Sequence, residues 1–172
     1  MIFATVGTQL PFDRLLQGLN NWAARNPIVP VFAQIGESKR SFSHIDTVDH
    51  LSQAEFLTRF SAARLIVSHA GMGTILSAAD LGKPLILMPR RQMFHEHRND
   101  HQLDTASEMK RLSNVTVVAD DEALHETLDR ALAQGLPTAH SGVETTSSKL
   151  EPLLNTIRDF VWEQPTAQRG EQ

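Results

Sequence analysis

The sequence predicts an α/β domain in which helices cover both faces of a parallel sheet, a doubly wound arrangement. Short apolar segments alternate along the chain with longer segments whose apolar residues recur at helical spacing, and this rhythm is typical of such a sheet. The chain has 172 residues, about one domain's length and enough for a sizeable core. We therefore expect one Rossmann-like domain over residues 1–162 and a flexible tail over residues 163–172.

The predicted strands are short apolar segments, most of them bounded by turn residues or by polar segments. They are residues 2–6, 29–35, a short edge strand at 45–48, 65–67, 85–88 and 115–118.

The predicted helices are placed by apolar spacing and by residues that favour helix ends. Pro11 suits a first turn, where its missing N–H is harmless, and Ser52 with Glu55 has the spacing of a capping box. The helices run from Pro11 towards Pro27, over residues 52–63, over 74–81, from Asn99 or Asp100 to Lys110, and over about 121–133. A C-terminal amphipathic helix is marked by Leu150, Leu153, Leu154, Ile157, Phe160 and Val161. Its apolar stripe packs either on the same sheet or against a partner protein.

Composition disfavours several classes of protein. The net charge of −4 argues against a nucleic-acid binder, which needs clustered Lys and Arg. Because the chain has no cysteine, it has no disulfide, thiolate metal site or cysteine nucleophile. The opening residues lack the basic start of a signal peptide, and no apolar run approaches the roughly 18 residues of a membrane span. We expect a cytoplasmic domain.

Two glycine turns follow predicted strands. One is Gly7-Thr8-Gln9, and the other is His69-Ala70-Gly71-Met72-Gly73-Thr74. In a parallel sheet both turns reach the same edge, where ligands bind. Glycine permits close approach of the backbone, and a helix start offers unpaired N–H groups to a phosphate. The pattern is neither a dinucleotide fingerprint nor a P-loop. Two alternatives stay open: a tight turn without a ligand, and His69 as a core histidine.

The segments "IFATVGTQLPFDRL" and "VSHAGMGTILSAADLGKPLILMPRR…EHRNDHQ" together resemble the C-terminal domain of glycosyltransferase family 28. Within that family the chain looks most like PssE-type exopolysaccharide glycosyltransferase subunits, and it is similar to the small subunit of the dolichol-linked N-acetylglucosaminyltransferase. The resemblance spans roughly residues 1–160. It implies one half of a GT-B fold, the half that binds a UDP-sugar. The other half is then a separate, membrane-associated PssD-type subunit that binds a polyprenyl-diphosphate-linked saccharide acceptor.

The resemblance also implies roles for individual residues. Gly7 and Thr8, with Gln9, would face the diphosphate, and the turn from His69 to Thr74 would close its opposite side. His101 and Gln102 would bond the sugar hydroxyls. Many members of the family have Glu at the position of Ser77 to bind the ribose. Either Asp80, one turn further along the helix, binds the ribose here, or the ribose is held less tightly.

The loop that contains Arg90 and Arg91 carries the prediction of the donor sugar. Two arginines can fork onto a carboxylate, so UDP-glucuronate ranks first, with galactose or N-acetylglucosamine as alternatives. The alternative is that both arginines are solvated loop residues without a role in binding. His97 and His101 are spaced i, i+4, but no His-Glu-x-x-His motif is present, so neither a metal nor a cofactor is predicted.

The leading hypothesis is the UDP-sugar-binding catalytic subunit of a two-component inverting glycosyltransferase in exopolysaccharide synthesis, recruited to the inner face of the membrane by its partner. The competing hypotheses are a non-catalytic nucleotide-binding or regulatory subunit and a metal-dependent hydrolase. No catalytic residue is identified, and His69 is a candidate. In related single-chain enzymes with two such domains the general base lies in the other domain, so here it would come from the partner.

Overall fold

The computed structural model describes residues 1–134, which form a six-stranded parallel sheet with five α-helices. The strands are β1 (Ile2–Thr5), β2 (Val31–Gln34), β3 (Asp46–Val48), β4 (Leu65–Ser68), β5 (Leu85–Leu87) and β6 (Val115–Val117). The helices are α1 (Asp13–Arg25), α2 (Gln53–Ala62), α3 (Met72–Asp80), α4 (His101–Met109) and α5 (Asp121–Gln134), with a 3-10 turn at Gln92–Phe94. The predicted α/β fold class is confirmed.

The strands lie in the order β3-β2-β1-β4-β5-β6. The chain builds one half of the sheet outward from β1 and then returns to build the other half outward from β4. Thr5 at the end of β1 pairs with Gln34 on one side and with Ser68 on the other. The strand order therefore reverses between β1 and β4, and in open α/β sheets a ligand crevice forms at that point, outside the carboxyl ends of the strands.

Two apolar clusters cover the two faces of the sheet. Ile2 and Ala4 of β1 pack with residues of α1 and α5, whereas Phe3 between them packs with residues of α2, α3 and α4. Successive side chains of a strand point to opposite faces, so a fully buried strand such as β1 supplies both clusters. The sheet is therefore covered on both faces, as a doubly wound domain requires.

Two helix starts differ from the predicted ones. α1 begins at Asp13, because Phe12 has non-helical backbone angles (φ −140°, ψ 63°) and Pro11 lies outside the helix. α3 begins at Met72 rather than Thr74, so that Gly73 lies within the helix and not in the turn before it.

The predicted capping box at the start of α2 is confirmed. The side chain of Ser52 accepts a hydrogen bond from the Glu55 N–H, and the Glu55 carboxylate accepts one from the Ser52 N–H.

The predicted C-terminal helix and tail lie outside the described residues. Within residues 1–134, no helix is long and apolar enough to cross a membrane.

Candidate functional site

A small pocket lies at the point where the strand order reverses. It has a volume of about 200 Å³ and is lined by Val6, Gly7, Thr8, Gln9, Leu10, His69, Arg90, His97 and Gln102. A larger cleft of about 650 Å³ lies at the opposite edge of the sheet, among residues at the amino ends of the strands such as Ile2, Leu65 and Pro84. None of the predicted site residues lines that cleft, so we place the candidate site in the small pocket.

The turn after β1 depends on Gly7. Its backbone lies in the left-handed region, with φ +78°, which glycine adopts without strain. Its N–H donates to the Thr5 hydroxyl over 3.3 Å. A Cβ atom at residue 7 would lie 3.0 Å from Cε1 of His69. The two predicted turns are therefore in direct contact, and Thr8 and Gln9 are exposed beside the contact.

His69 lies between the two turns and is neutral near pH 7. The Ser68 hydroxyl donates to the Thr5 carbonyl oxygen over 3.0 Å, and it lies 3.3 Å from Nδ1 of His69. Since the Ser68 proton is used, we infer that Nδ1–H of His69 donates to the Ser68 oxygen, which leaves the lone pair on Nε2. Burial, and next the positive charge of Arg90, lowers the pKa of His69 to about 4.

Gly71 and Gly73 differ in what a Cβ atom would meet. Gly71 is the N-cap of α3 with φ −95°, and a Cβ atom there would lie 2.4 Å from Nε2 of His69. Gly73 has helical backbone, and a Cβ atom there would meet nothing within 4 Å. Neither glycine has positive φ. Packing against His69 accounts for Gly71, whereas no contact within residues 1–134 accounts for Gly73.

The start of α3 is suited to an anion. Its first turn contains no acidic residue, and its N-cap makes no side-chain hydrogen bond. The first N–H groups of a helix have no partner within the helix, and the helix dipole places partial positive charge there. Ala70 and Thr74 are buried, and Met72 packs against the apolar cluster of α2 and α4. These three residues can therefore meet a ligand mainly through their backbone groups.

The first glycine turn lacks such a helix start. α1 begins at Asp13, several residues after Gly7, and it has that carboxylate in its first turn. Asp13 accepts hydrogen bonds from Ser38 and Arg40, so it ties the loop after β2 to α1. Of the two predicted helix starts, only that of α3 lies at its glycine turn.

Arg90 is a buried structural residue. Its side chain lies 5.1 Å from the Phe12 ring, and the residue is 3% exposed. The guanidinium donates to the carbonyl oxygens of Val6 (2.7 Å), Leu10 (2.7 Å), Pro11 (2.8 Å) and Glu96 (3.3 Å). Burial lowers the pKa of Arg90 to about 10, so it stays charged at pH 7. These four bonds occupy both terminal nitrogens, Nη1 and Nη2, which the predicted fork of Arg90 onto a sugar carboxylate would need.

Arg91 points elsewhere than its neighbour. Its guanidinium lies 6.0 Å from the Phe94 ring, its Nε is buried without a hydrogen-bond partner among residues 1–134, and it does not line the small pocket.

Gln102 is held with its amide at the pocket. The residue is 5% exposed, and its Oε1 accepts a hydrogen bond of 3.0 Å from the Arg90 N–H. This bond orients the NH₂ group, which can donate to a ligand hydroxyl. His101 is exposed and bonds to Asn99, so it lies outside the pocket lining. His97 lines the pocket instead, which the sequence analysis did not foresee.

His97 and His101 meet edge to face, with ring centroids 4.4 Å apart. Partial burial, and next the charges of His101 and Arg90, lowers the pKa of His97. Within residues 1–134, no group of three or more His, Asp or Glu side chains could hold a metal ion.

Ser77 and Asp80 lie on α3, one turn apart. The Ser77 hydroxyl donates to the Gly73 carbonyl oxygen over 2.9 Å, which leaves its oxygen lone pairs as acceptors. Asp80 is exposed. Both residues follow the helix start and lie outside the pocket lining.

The sequence did not predict an ion pair that lies beside the site. Arg14 of α1 and Glu96 of the loop after β5 form a two-bond fork of 2.8 and 2.9 Å. The two residues are 82 positions apart in the chain, and no local pattern links them.

The glycosyltransferase family 28 C-terminal domain matches residues 1–158. The UDP-N-acetylglucosamine transferase subunit ALG13 of Yarrowia lipolytica is 26% identical over 141 residues, which cover 72% of this chain and 67% of the yeast protein. The solution structure of ALG13 superposes with a TM-score of 0.61 at 19% identity, over 89% of this chain and 94% of that one. MurG of Acinetobacter baumannii superposes with a TM-score of 0.57 at 19% identity, over 78% of this chain and 42% of the longer enzyme. The two superpositions show the shared fold. The predicted family is confirmed: the chain belongs to the glycosyltransferase family 28 C-terminal domain family.

Proposed function

We propose that the chain binds the UDP-sugar donor of a two-component inverting glycosyltransferase, with the diphosphate at the start of α3. The observation that carries this proposal is Gly73. A Cβ atom at residue 73 would meet no atom of a neighbouring residue within 4 Å, although glycine costs about 1 kcal/mol relative to alanine within a helix. A ligand that needs the space beside the first N–H groups of α3 explains why glycine is present there.

The proposed position of the diphosphate determines where the other parts of the donor lie. Gly7, Thr8 and Gln9 face the diphosphate from the turn after β1, since this turn contacts His69 directly. The sugar extends towards His97 and the oriented NH₂ of Gln102 in the same pocket. The ribose lies along α3 towards Ser77 and Asp80.

The proposed chemistry is displacement of UDP by an acceptor hydroxyl. The acceptor oxygen attacks C1 of the sugar from the face opposite UDP, the bond from C1 to the diphosphate oxygen breaks, and the electron pair leaves with UDP. Negative charge therefore grows on the diphosphate in the transition state. The N–H groups at the start of α3 stabilise it there more than in the bound donor.

The proton of the acceptor hydroxyl must go to a base. His69 is neutral, but Nε2 faces Gly71 and hence the leaving diphosphate. We therefore assign His69 to the leaving-group side and the general base to the partner subunit.

The partner proposed is a membrane-associated PssD-type subunit that carries the acceptor site. The relative named above is itself described as a transferase subunit, which supports a shared architecture of two chains. The acceptor is then a polyprenyl-diphosphate-linked saccharide of exopolysaccharide synthesis, and the partner recruits this chain from the cytoplasm to the inner face of the membrane.

The donor sugar is still a prediction. UDP-glucuronate ranks first in the sequence analysis because of Arg90 and Arg91, but Arg90 is committed to four carbonyl oxygens. Only Arg91 is left to support an acidic sugar. The yeast relative is named as a UDP-N-acetylglucosamine transferase subunit. UDP-N-acetylglucosamine is therefore the natural comparison in a donor screen.

The test is calorimetric titration of the full chain with UDP, with and without EDTA, followed by a transfer assay. The proposal requires UDP binding that EDTA does not change, and sugar transfer to a lipid-linked acceptor once membranes containing the PssD-type partner are added. UDP binding without transfer for any of UDP-glucuronate, UDP-galactose and UDP-N-acetylglucosamine would favour the non-catalytic subunit. Turnover that EDTA abolishes would favour the metal-dependent hydrolase, and an absence of UDP binding would overturn the proposal.

A further inference from the structure

The loop between β5 and α4 is tied to α1 by one arginine. Besides its fork with Glu96, Arg14 donates from Nη1 to the Ala119 carbonyl oxygen (3.0 Å) and from Nη2 to the Pro89 carbonyl oxygen (3.0 Å). Nη1 also lies 3.1 Å from Sδ of Met88. One guanidinium therefore joins α1, the end of β5, the loop after β5 and the segment after β6.

The fork is largely shielded from water. The side chains of Arg14 and Glu96 are 19% and 9% exposed, and the guanidinium lies 5.3 Å from the Phe12 ring and 5.0 Å from the Phe94 ring. Shielded two-bond forks have more defined geometry than exposed ion pairs, most of which contribute little. The exposed pair of Arg40 and Asp13, with one bond of 3.0 Å and an Arg40 side chain that is 62% exposed, is the contrast within this chain.

Glu96 connects the fork to the residues that line the pocket. Its Oε2 also accepts the Arg91 N–H over 2.9 Å, and its carbonyl oxygen accepts from the Arg90 guanidinium over 3.3 Å. The next residue, His97, lines the pocket, and the Arg90 N–H holds Gln102 there. The fork thus sets the loop that places His97 and Gln102 but does not itself line the pocket.

We infer that Arg14 and Glu96 are positioning residues that set the sugar end of the donor pocket, separately from the diphosphate end at α3. This inference rests on the proposed function. The diphosphate end is built from the turns after β1 and β4, and neither side chain of the fork bonds to those turns. The Glu96 carbonyl oxygen is linked to the turn after β1 through Arg90, but side-chain variants leave that backbone group in place. Loosening the fork should therefore weaken recognition of the sugar and leave recognition of UDP intact.

The test compares three variants of the full chain, Arg14→Met, Glu96→Gln and the double variant, with Arg40→Met as the matched control. Calorimetry measures the affinity for UDP and for UDP-glucuronate, UDP-galactose and UDP-N-acetylglucosamine. For whichever sugar nucleotide the parent binds most tightly, each single variant should bind it about tenfold more weakly, while UDP affinity changes less than about twofold. Because the two residues share the fork, the double variant should lose less affinity than the sum of the losses of the two single variants. Arg40→Met should change neither affinity.

Hydrogen exchange supplies a readout that needs no nucleotide. Amides of residues 91–97 should exchange faster in Arg14→Met than in the parent, while those of β4 and α3 stay unchanged. Equal losses of UDP and UDP-sugar affinity, additive losses in the double variant, or unchanged exchange in the loop would each overturn the inference. A parent chain that fails to bind UDP would instead overturn the proposed function, and the exchange data would still decide whether the fork holds the loop.

Discussion

The ring of His69 lies so close to Gly71 that a Cβ atom at residue 71 would be 2.4 Å from Nε2. Real Cβ atoms do not approach so closely, so any side chain at residue 71 must displace the ring. Because the same ring also lies close to Gly7, where a Cβ atom would be 3.0 Å from Cε1, its position depends on both turns.

Replacing Gly71 with alanine should therefore disturb the site through His69. We expect Gly71→Ala to weaken UDP binding by about tenfold or more, which corresponds to about 1.4 kcal/mol, on the scale of one lost contact to the diphosphate. Calorimetry measures the affinity, and the NMR signals of the His69 ring report its displacement. Unchanged affinity together with a displaced ring would remove His69 from the diphosphate site.

Gly73→Ala should separate stability from binding. The alanine meets no atom within 4 Å and favours helix over glycine by about 1 kcal/mol, so the free energy of unfolding should rise. UDP binding should nevertheless weaken severely, because the methyl group occupies the space proposed for the diphosphate. Urea denaturation and UDP titration of the same preparation check both halves. A more stable variant with the parent's UDP affinity would place the diphosphate elsewhere.

Arg90 and Arg91 should differ sharply when each is replaced by glutamine. Arg90→Gln leaves buried carbonyl oxygens without their charged donor, and we expect the free energy of unfolding to fall by about 2–4 kcal/mol. Arg91→Gln should lower it by less than about 1 kcal/mol, because no hydrogen bond from its guanidinium occurs among residues 1–134. Denaturant titration of the two variants makes the comparison. Similar small losses for both would contradict the structural role of Arg90.

The buried His69 should make stability depend on pH. Its folded pKa of about 4 lies below the unfolded value of about 6.5. Between these values the unfolded chain binds more protons, so stability falls as the pH decreases from about 6.5 to 4. The slope is at most about 1.4 kcal/mol per pH unit for one group.

A His69→Gln variant isolates this contribution from those of the carboxylates and of His97. The difference in free energy of unfolding between parent and variant should change through that pH range and be constant above about pH 7. A difference that is the same at pH 4.5 and pH 7.5 would show that His69 titrates normally in the folded chain.

Ser77→Glu should strengthen UDP binding if the ribose lies along α3. A carboxylate at residue 77 can accept hydrogen bonds from ribose hydroxyls, and a charged hydrogen bond contributes about 1.5–3 kcal/mol. We expect a gain of about tenfold for UDP and a smaller gain for 2′-deoxy-UDP, which has one hydroxyl fewer. Ser77→Gln, of nearly the same shape, is the control for size. Equal gains for both nucleotides would mean that residue 77 does not contact the 2′-hydroxyl.

The elements of the fold were largely predictable because their signals are local. All six predicted strands and all five predicted helices within residues 1–134 occur, with ends shifted by one to a few residues. The predicted start of α2 is confirmed, because Ser52 and Glu55 are only three residues apart and form a capping box. The predicted start of α1 is wrong. The carbonyl oxygen of Pro11 accepts a hydrogen bond from Arg90, 79 positions away, and no local pattern reveals that contact.

By itself, the sequence determined the fold class and the two glycine turns, since apolar spacing and turn chemistry depend on neighbouring residues, and its resemblance to a known family determined the family. Only the tertiary structure decided which groups share the pocket. The strand order brings Gly7 against His69, turns Arg90 inward onto three carbonyl oxygens of residues 6–11, and places Arg14 against Glu96. These contacts join residues tens of positions apart, and they form because the parallel sheet gathers the ends of separate strands at one edge.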